Sequence, residues 1–282
     1  MKKIITSIIL FLIIAYLGIN YLLLKNDNNL KVHFLEAGQA DASLIQTPYG
    51  QNIAIDLGSE KAFLELEKIL PWWDRKIDIL IISHPHSDHI EGMPNLINKY
   101  EVSSIYFTGV SYDSETYKEI ISLAKLKNIP LLIPEMGHKI KLGKDCFLKF
   151  IYPLSSSEGL SPVNLNNDSI VNKLKCNNHS FLFTGDIEED IENKILEMDY
   201  NLKSDVLKVA HHGSISSSQE KFLEEVMPKI SIISVGKNNF GHPSLRVINR
   251  LKKIGSEVLR TDVYGTISII SDGQNIFKQV SK

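Results

Sequence analysis

The sequence predicts an α/β fold, and two sheets with helices on their outer faces are one arrangement that satisfies the order of its elements, although the pattern alone does not choose it. Three observations carry that expectation. First, the chain runs β-rich, α/β, β-rich, α/β, an order that two sheets with helices on their outer faces satisfy. Second, Ile77 to Ser83 reads as one apolar strand, as expected for a strand buried on both faces. Third, the chain has 282 residues, 43% hydrophobic and 23% charged, the composition of a folded core and not of a disordered chain. That length is within the range of a single layered α/β domain.

The elements follow in order. Lys2 and Lys3 precede an apolar stretch, Ile4 to Leu24, interrupted only by Thr6, Ser7, Gly18 and Asn20. A helix needs about 20 apolar residues to cross a bilayer. The stretch has no Ala-x-Ala cleavage site and no polar face, which argues against a cleaved signal peptide and against a core helix. The expectation is an uncleaved signal anchor over 1–25, a linker over 26–30 and a domain over 31–282. The lysines then keep the N-terminus cytoplasmic and place the domain outside a cell membrane crossed once.

Within the domain, Lys31 to Glu36, Ser43 to Gln46 and Asn52 to Asp56 read as strands, the last two joined by a turn at Thr47-Pro48-Tyr49-Gly50. Lys61 to Leu70 reads as a helix, and Ile90 to Lys99 as another after the Ile77 to Ser83 strand. Ser104 to Phe107 is strand and Ser114 to Lys127 helix. The middle is β-rich: Lys139 to Leu142, Cys146 to Tyr152, Ser169 to Cys176 and Ser180 to Thr184, with a tight turn at Asn177-Asn178. Val206 to Ala210 and Ile230 to Val235 are strands, and Phe222 to Val226 and Ser244 to Ile254 helices. Glu257 to Leu259, Thr266 to Ile270 and Asn275 to Val280 close the chain as strands.

The net charge is −2, so the basic excess that usually marks a nucleic-acid binder is missing. Cys146 and Cys176 are the only cysteines and do not have zinc-thiolate spacing. Two buried free thiols on neighbouring strands is the expected state, with a disulfide as the alternative.

Chemistry concentrates in His84-Pro85-His86-Ser87-Asp88-His89, directly after a predicted buried strand. Loops at strand ends are where open α/β sheets place their ligands. Imidazole and carboxylate are the usual ligands of zinc and similar ions. With nine histidines in the chain, three within six residues is not a chance grouping. His84 and His86 alternate and can point one way, while Asp88 and His89 reach a second point nearby. Asp186 follows another strand and can bridge two metals; its alternative is a helix N-cap, because Ile187 to Glu197 looks helical. His211 and His212 follow a third strand.

The motif matches the HxHxDH signature of the metallo-β-lactamase superfamily. The chain resembles the hydrolase domain of ComEC-type competence proteins from about Lys31 to its C-terminus. The resemblance rests also on Phe34-Leu35-Glu36-Ala37-Gly38-Gln39-Ala40-Asp41-Ala42, Ile55-Asp56-Leu57-Gly58, Ser169-Ile170-Val171, Phe183-Thr184-Gly185-Asp186, Lys208-Val209-Ala210-His211-His212-Gly213-Ser214, Gly241-His242-Pro243-Ser244, Thr261-Asp262 and Gly265-Thr266-Ile267. It implies an αββα sandwich with one or two divalent ions, zinc or manganese, at one edge of the paired sheets. His84 and His86 would serve the first metal, Asp88, His89 and His211 the second, with Asp186 bridging. A metal-bound hydroxide would attack an ester or phosphoester. Asp88 and His242 are the expected catalytic residues, His242 as substrate contact or proton donor.

Many members of the superfamily add a third histidine to the first metal. Here the matching region is Asn166-Asn167-Asp168-Ser169, leaving Asn167, Asp168 or water to complete the shell, with His212 as a further metal or pocket residue. The expected function is a membrane-anchored, extracytoplasmic metal-dependent phosphodiesterase or nuclease, with DNA as one candidate substrate. One alternative is hydrolysis of a small or cell-surface ester, such as a phosphorylcholine ester of a wall polymer. Another is a non-catalytic, metal-binding, membrane-tethered interaction protein. With a single expected span, DNA transport itself is not expected.

Overall fold

A computed structural model describes residues 2–25, 28–198 and 200–282, with the side chains of 2–4 and 19–25 outside the description. Two sheets dominate it. The first has eight strands in the order Ile276–Val280, Ile267–Ser271, Leu30–Phe34, Ala42–Gln46, Asn52–Leu57, Ile79–Ile81, Ile105–Tyr106 and Leu131–Leu132. The second has seven, in the order Glu257–Arg260, Ile230–Ile233, Val206–Lys208, His179–Phe183, Val171–Cys176, Cys146–Tyr152 and Lys139–Lys141.

Strand alternation explains why the sheets stack. Successive side chains of a strand point to opposite faces. Ile53, Ile55, Ile79, Ile81, Phe181 and Phe183 therefore enter one core between the sheets, where Phe34 stacks on Phe183 with ring centroids 6.0 Å apart. Their neighbours Ala54, Leu80 and Ile82 face outward, under helices Glu60–Ile69, Met93–Lys99 and Glu115–Leu126. Leu182 and Leu207 likewise lie under helices Glu189–Leu196, Glu220–Val226 and Leu245–Lys253. The layers are α, β, β, α, as the family resemblance implies.

Several details differ from expectation. The strand expected from Ile77 to Ser83 is split at Asp78, because Lys76–Ile77 pairs instead with Glu101–Val102 in a small parallel sheet. The helix expected from Ile90 to Lys99 is broken into Ser87–Ile90 and Met93–Lys99. At the break, the Gly92 N–H bonds to the Leu57 carbonyl at 2.7 Å, and Pro94 lies in the first turn of the following helix. Asn177 and Asn178 do join two paired strands, Asn177 taking the left-handed conformation that the tight turn needs (φ 51°). Short elements at Leu131–Leu132 and Thr261–Tyr264 carry no periodic signal and escape sequence reading.

Cys146 and Cys176 sit opposite each other on adjacent strands, as expected, but form a disulfide instead of remaining free thiols. The direct cross-strand register brings the two sulfurs together, which composition could not show.

The N-terminal helix runs Lys2–Lys25, with Ile5, Phe11 and Tyr16 exposed. Among the described residues no helix is long and apolar enough to cross a membrane, so the expected span and its single-pass topology are not supported. The described side chains of this helix cover only 5–18, about 21 Å of rise against a hydrocarbon core of about 30 Å, and include Thr6, Ser7 and Gly18. Residue 1 and the side chains of 2–4 and 19–25 of the expected span, and residues 26–27 of the expected linker, lie outside the description.

Candidate metal centre

The C-terminal ends of strands from both sheets converge on one edge. His84 to His89 follow strand Ile79–Ile81, Asp186 follows His179–Phe183, and His211 and His212 follow Val206–Lys208. The His-rich loop is pressed onto its own sheet: the Asp41 N–H bonds to the Asp88 carbonyl at 2.9 Å, and a Cβ on Gly58 would overlap that carbonyl. Only glycine fits at Gly58, which accounts for its place in the Ile55-Asp56-Leu57-Gly58 segment.

Two ligand groups form. His84, His89 and Asp186 make one and Asp88, His89 and His212 the other, the ligand atoms of each lying within 4.8 Å of one another. His84 Nε2 and His86 Nδ1 are 3.0 Å apart, which sets His86 beside the first group. Asp186 Oδ2 lies 3.3 Å from His89 Nε2 and 3.8 Å from His212 Nε2, between the two sites as a bridging carboxylate would be. It is not a helix cap: helix Glu189–Leu196 starts after Glu188.

The supporting hydrogen bonds aim these rings. His212 Nδ1 donates to the Ser234 carbonyl at 2.8 Å, an acceptor only, so Nε2 keeps its lone pair for the site. His89 Nδ1 donates to Asp56 Oδ2 at 2.9 Å, and His89 Nε2 is buried with no hydrogen-bond partner. Ser83 Oγ donates to Asp56 at 2.7 Å, which leaves its oxygen to accept from His84 Nδ1 at 3.1 Å. A buried ring nitrogen without a partner costs free energy unless something binds there. These donors therefore fit a divalent cation.

Asp56 reaches its partners because it is the extra residue of a β-bulge, where the register steps from Ala42↔Leu57 to Ser43↔Ile55. Its φ of 55° is left-handed, uncommon for a residue other than glycine and the kind of backbone strain that gathers at functional sites.

A third acidic grouping, Asp41, Asp56 and His89, is not a metal site. The buried Lys208 ammonium already pairs with Asp41, and Asp56 already holds His89 and Ser83.

The buried carboxylates balance the buried rings. Burial lowers the His84 pKa well below the ordinary range, with neighbouring His89 adding to the effect. Burial also opposes charge on His89, but Asp186 and Asp56 outweigh it and raise its pKa well above normal. Burial would raise Asp186, yet His89 and His212 hold it well below normal as a carboxylate.

His211 and His212 change places relative to expectation. His212, expected as an additional metal or pocket residue, enters a ligand group, and His211, expected as a ligand of the second metal, does not. Both residues have left-handed backbone (φ 51° and 53°), which turns adjacent rings to different sides. His211 Nδ1 lies 3.4 Å from Glu188 Oε1, and its Nε2 lies 3.4 Å from Asn166 Nδ2. Asn167 and Asp168 are taken up by the fold, accepting from the Glu188 N–H and the Ser157 hydroxyl at 2.9 Å each. His242 stands on the rim, its ring 5.4 Å from that of His211 and its Nδ1 buried without a partner. Asp41, Asp56 and Lys208 have no expected role from the sequence, although each lies in a segment that carries the resemblance.

His86 opens onto a cleft of about 480 Å³ lined by Tyr112, Asp113, Val163, Asn164 and Leu165. The Tyr112 ring is 6.1 Å from that of His86.

Residues 35–237 match the family model described as the metallo-beta-lactamase superfamily. ComE operon protein 3 of Bacillus subtilis is 29% identical over 256 residues, 84% of this chain and 32% of that protein. Recombination protein 2 of Haemophilus influenzae is 30% identical over 254 residues, 85% of this chain and 28% of that protein. The chain thus spans about a third of the length of these relatives. Igni18, a metallo hydrolase from the archaeon Ignicoccus hospitalis, shares the fold with a TM-score of 0.54 at 15% identity, covering 85% of this chain and 98% of that one.

Proposed function

This chain belongs to the metallo-beta-lactamase superfamily of metal-dependent hydrolases, and on that premise we propose that it is a phosphodiesterase acting at the His84 to His89 centre. One observation carries the reading. Two donor groups share His89 and are bridged by Asp186, and Nδ1 bonds aim His89 and His212 inward. Divalent ions, when bound, supply Lewis acidity and make water a nucleophile near neutral pH. His84, His86 and Asp186 would hold the first ion, and Asp88, His89, His212 and Asp186 the second.

The chain's own residues do the rest. The cleft beside His86 admits the substrate, and buried Ser83, Asp56 and Ser169 keep the ligand rings from turning. His242, at the rim with its Nδ1 free of protein partners, is placed to pass a proton to the leaving oxygen.

DNA is one candidate substrate, suggested by relatives named for competence and recombination. A short phosphodiester is favoured over a tightly gripped polymer, because the cleft lining contains Asp113 and no lysine or arginine. The test is hydrolysis of bis-p-nitrophenyl phosphate, single-stranded DNA and duplex DNA by the protein with added manganese or zinc. Hydrolysis lost in Asp88→Ala and His86→Ala supports the reading. Absence of phosphodiester hydrolysis by the metal-loaded protein, or full activity in Asp88→Ala, overturns it.

A further inference from the structure

We infer that the carboxamide of Asn166 completes the first metal site, in the position for which the sequence offers no histidine, and makes that site the weaker of the two. The inference rests on the metal-centre reading above and concerns a residue that reading does not use.

Asn166 opens the short 3-10 turn Asn166–Asp168, which lies over the first site. Its backbone is pinned, the N–H donating to Asn164 Oδ1 at 3.0 Å and the carbonyl accepting from the Ser169 N–H at 3.0 Å. Ser169, at the end of the same turn, lies 3.1 Å from His84 Nδ1, so the turn is tied to a ligand of this site. Asn167 and Asp168 point into the fold, so within the turn the only amide free to face the metal centre is that of Asn166.

Two contacts show that it does so. The carboxamide lies beside the His86 ring, and its Nδ2 lies 3.4 Å from His211 Nε2. Asn166 Oδ1 is buried and has no hydrogen-bond partner. A buried carbonyl oxygen without a donor is costly in an apo protein and well suited to a hard cation. A half-turn of the last side-chain torsion exchanges oxygen and nitrogen in the same space, so the amide can offer oxygen to a cation shared with His84 and His86.

The ligand chemistry sets the consequence. An amide oxygen is neutral and a poorer zinc ligand than imidazole, whereas oxygen donors suit manganese. The second site, with Asp88, His89, His212 and the bridging Asp186, fills first. The first site fills second and exchanges readily.

The test is metal stoichiometry and affinity of the full chain. Zinc is followed by competition with a chromophoric chelator and manganese by its electron paramagnetic resonance signal. Wild type is expected to bind two equivalents with separated affinities. Asn166→Ala should weaken the second equivalent at least tenfold and leave the first within twofold. Asn166→His should tighten the second zinc at least tenfold, a gain that a merely structural asparagine would not produce. Asn166→Asp keeps the side-chain shape, serves if the alanine variant does not fold, and should tighten the second manganese at least tenfold.

Two wild-type equivalents with none of the three variants moving the second would overturn the inference alone, as would a single wild-type equivalent. No bound metal in the wild type would overturn the metal-centre reading and this inference together.

Discussion

Replacing Lys208 with methionine should destabilise the domain by roughly 3–5 kcal/mol. Lys208 lies on strand Val206–Lys208 with its side chain 5% exposed, paired with an Asp41 side chain that is 3% exposed. Burial opposes the lysine charge, but Asp41 and Asp186 raise its pKa above normal, so it stays an ammonium throughout the physiological range. Methionine keeps most of the volume and removes the charge. Asp41 is then left buried beside Asp56 and Asp186 without its ammonium, the His212 and His89 rings 3.5 and 3.9 Å away being shared with the other carboxylates, and the poorly compensated buried charge sets the size of the loss.

For a domain of this size the loss corresponds to a fall in Tm of roughly 6–20 °C. Thermal unfolding is followed by circular dichroism in EDTA, so that bound metal cannot replace the missing charge. Asp41→Asn combined with Lys208→Met should recover at least about 2 kcal/mol of the summed single losses, since it removes both charges. A Lys208→Met variant within about 1 kcal/mol of wild type would refute the account, as would strictly additive single and double variants.

Three further outcomes follow from the geometry. His212→Ala should weaken metal binding at the second site by about a hundredfold or more, and His211→Ala by less than about tenfold, read by chelator competition; the reverse order would return His211 to the ligand set. Burial pushes the Glu192 carboxyl from 4.5 up to about 7 while it accepts the Ser218 and Gln219 N–H groups. The folded state therefore holds this proton more tightly than the unfolded chain, and stability falls as pH rises from about 4.5 to about 7, by roughly 3 kcal/mol from this group. Glu192→Gln should flatten the dependence of Tm on pH between about 5 and 8; an unchanged slope would assign that dependence to other groups. The Cys146–Cys176 disulfide closes a loop with a separation of 30 residues, which is worth about 3–4 kcal/mol in the chain-entropy account. Reduction should lower the urea midpoint accordingly, and coincident curves with and without reductant would contradict it.

Much of this protein is local and therefore legible in its sequence. The HxHxDH spacing, the strand-end position of Asp186, the asparagine hairpin and the helix-sheet alternation depend on residues close together in the chain. Other features join residues far apart. Asp41 meets Lys208 across 167 positions, and His212 meets Asp88 across 124, with nothing in either segment to announce the partner. Cys146 and Cys176 bond because a strand register sets them opposite each other. The choice between His211 and His212 falls to two left-handed backbone residues and one carbonyl at Ser234. Composition and spacing determine which donor groups the chain carries and roughly where they gather. Only the folded backbone decides which nitrogen or oxygen faces the metals, because that depends on torsions and on hydrogen bonds from segments that meet only in space.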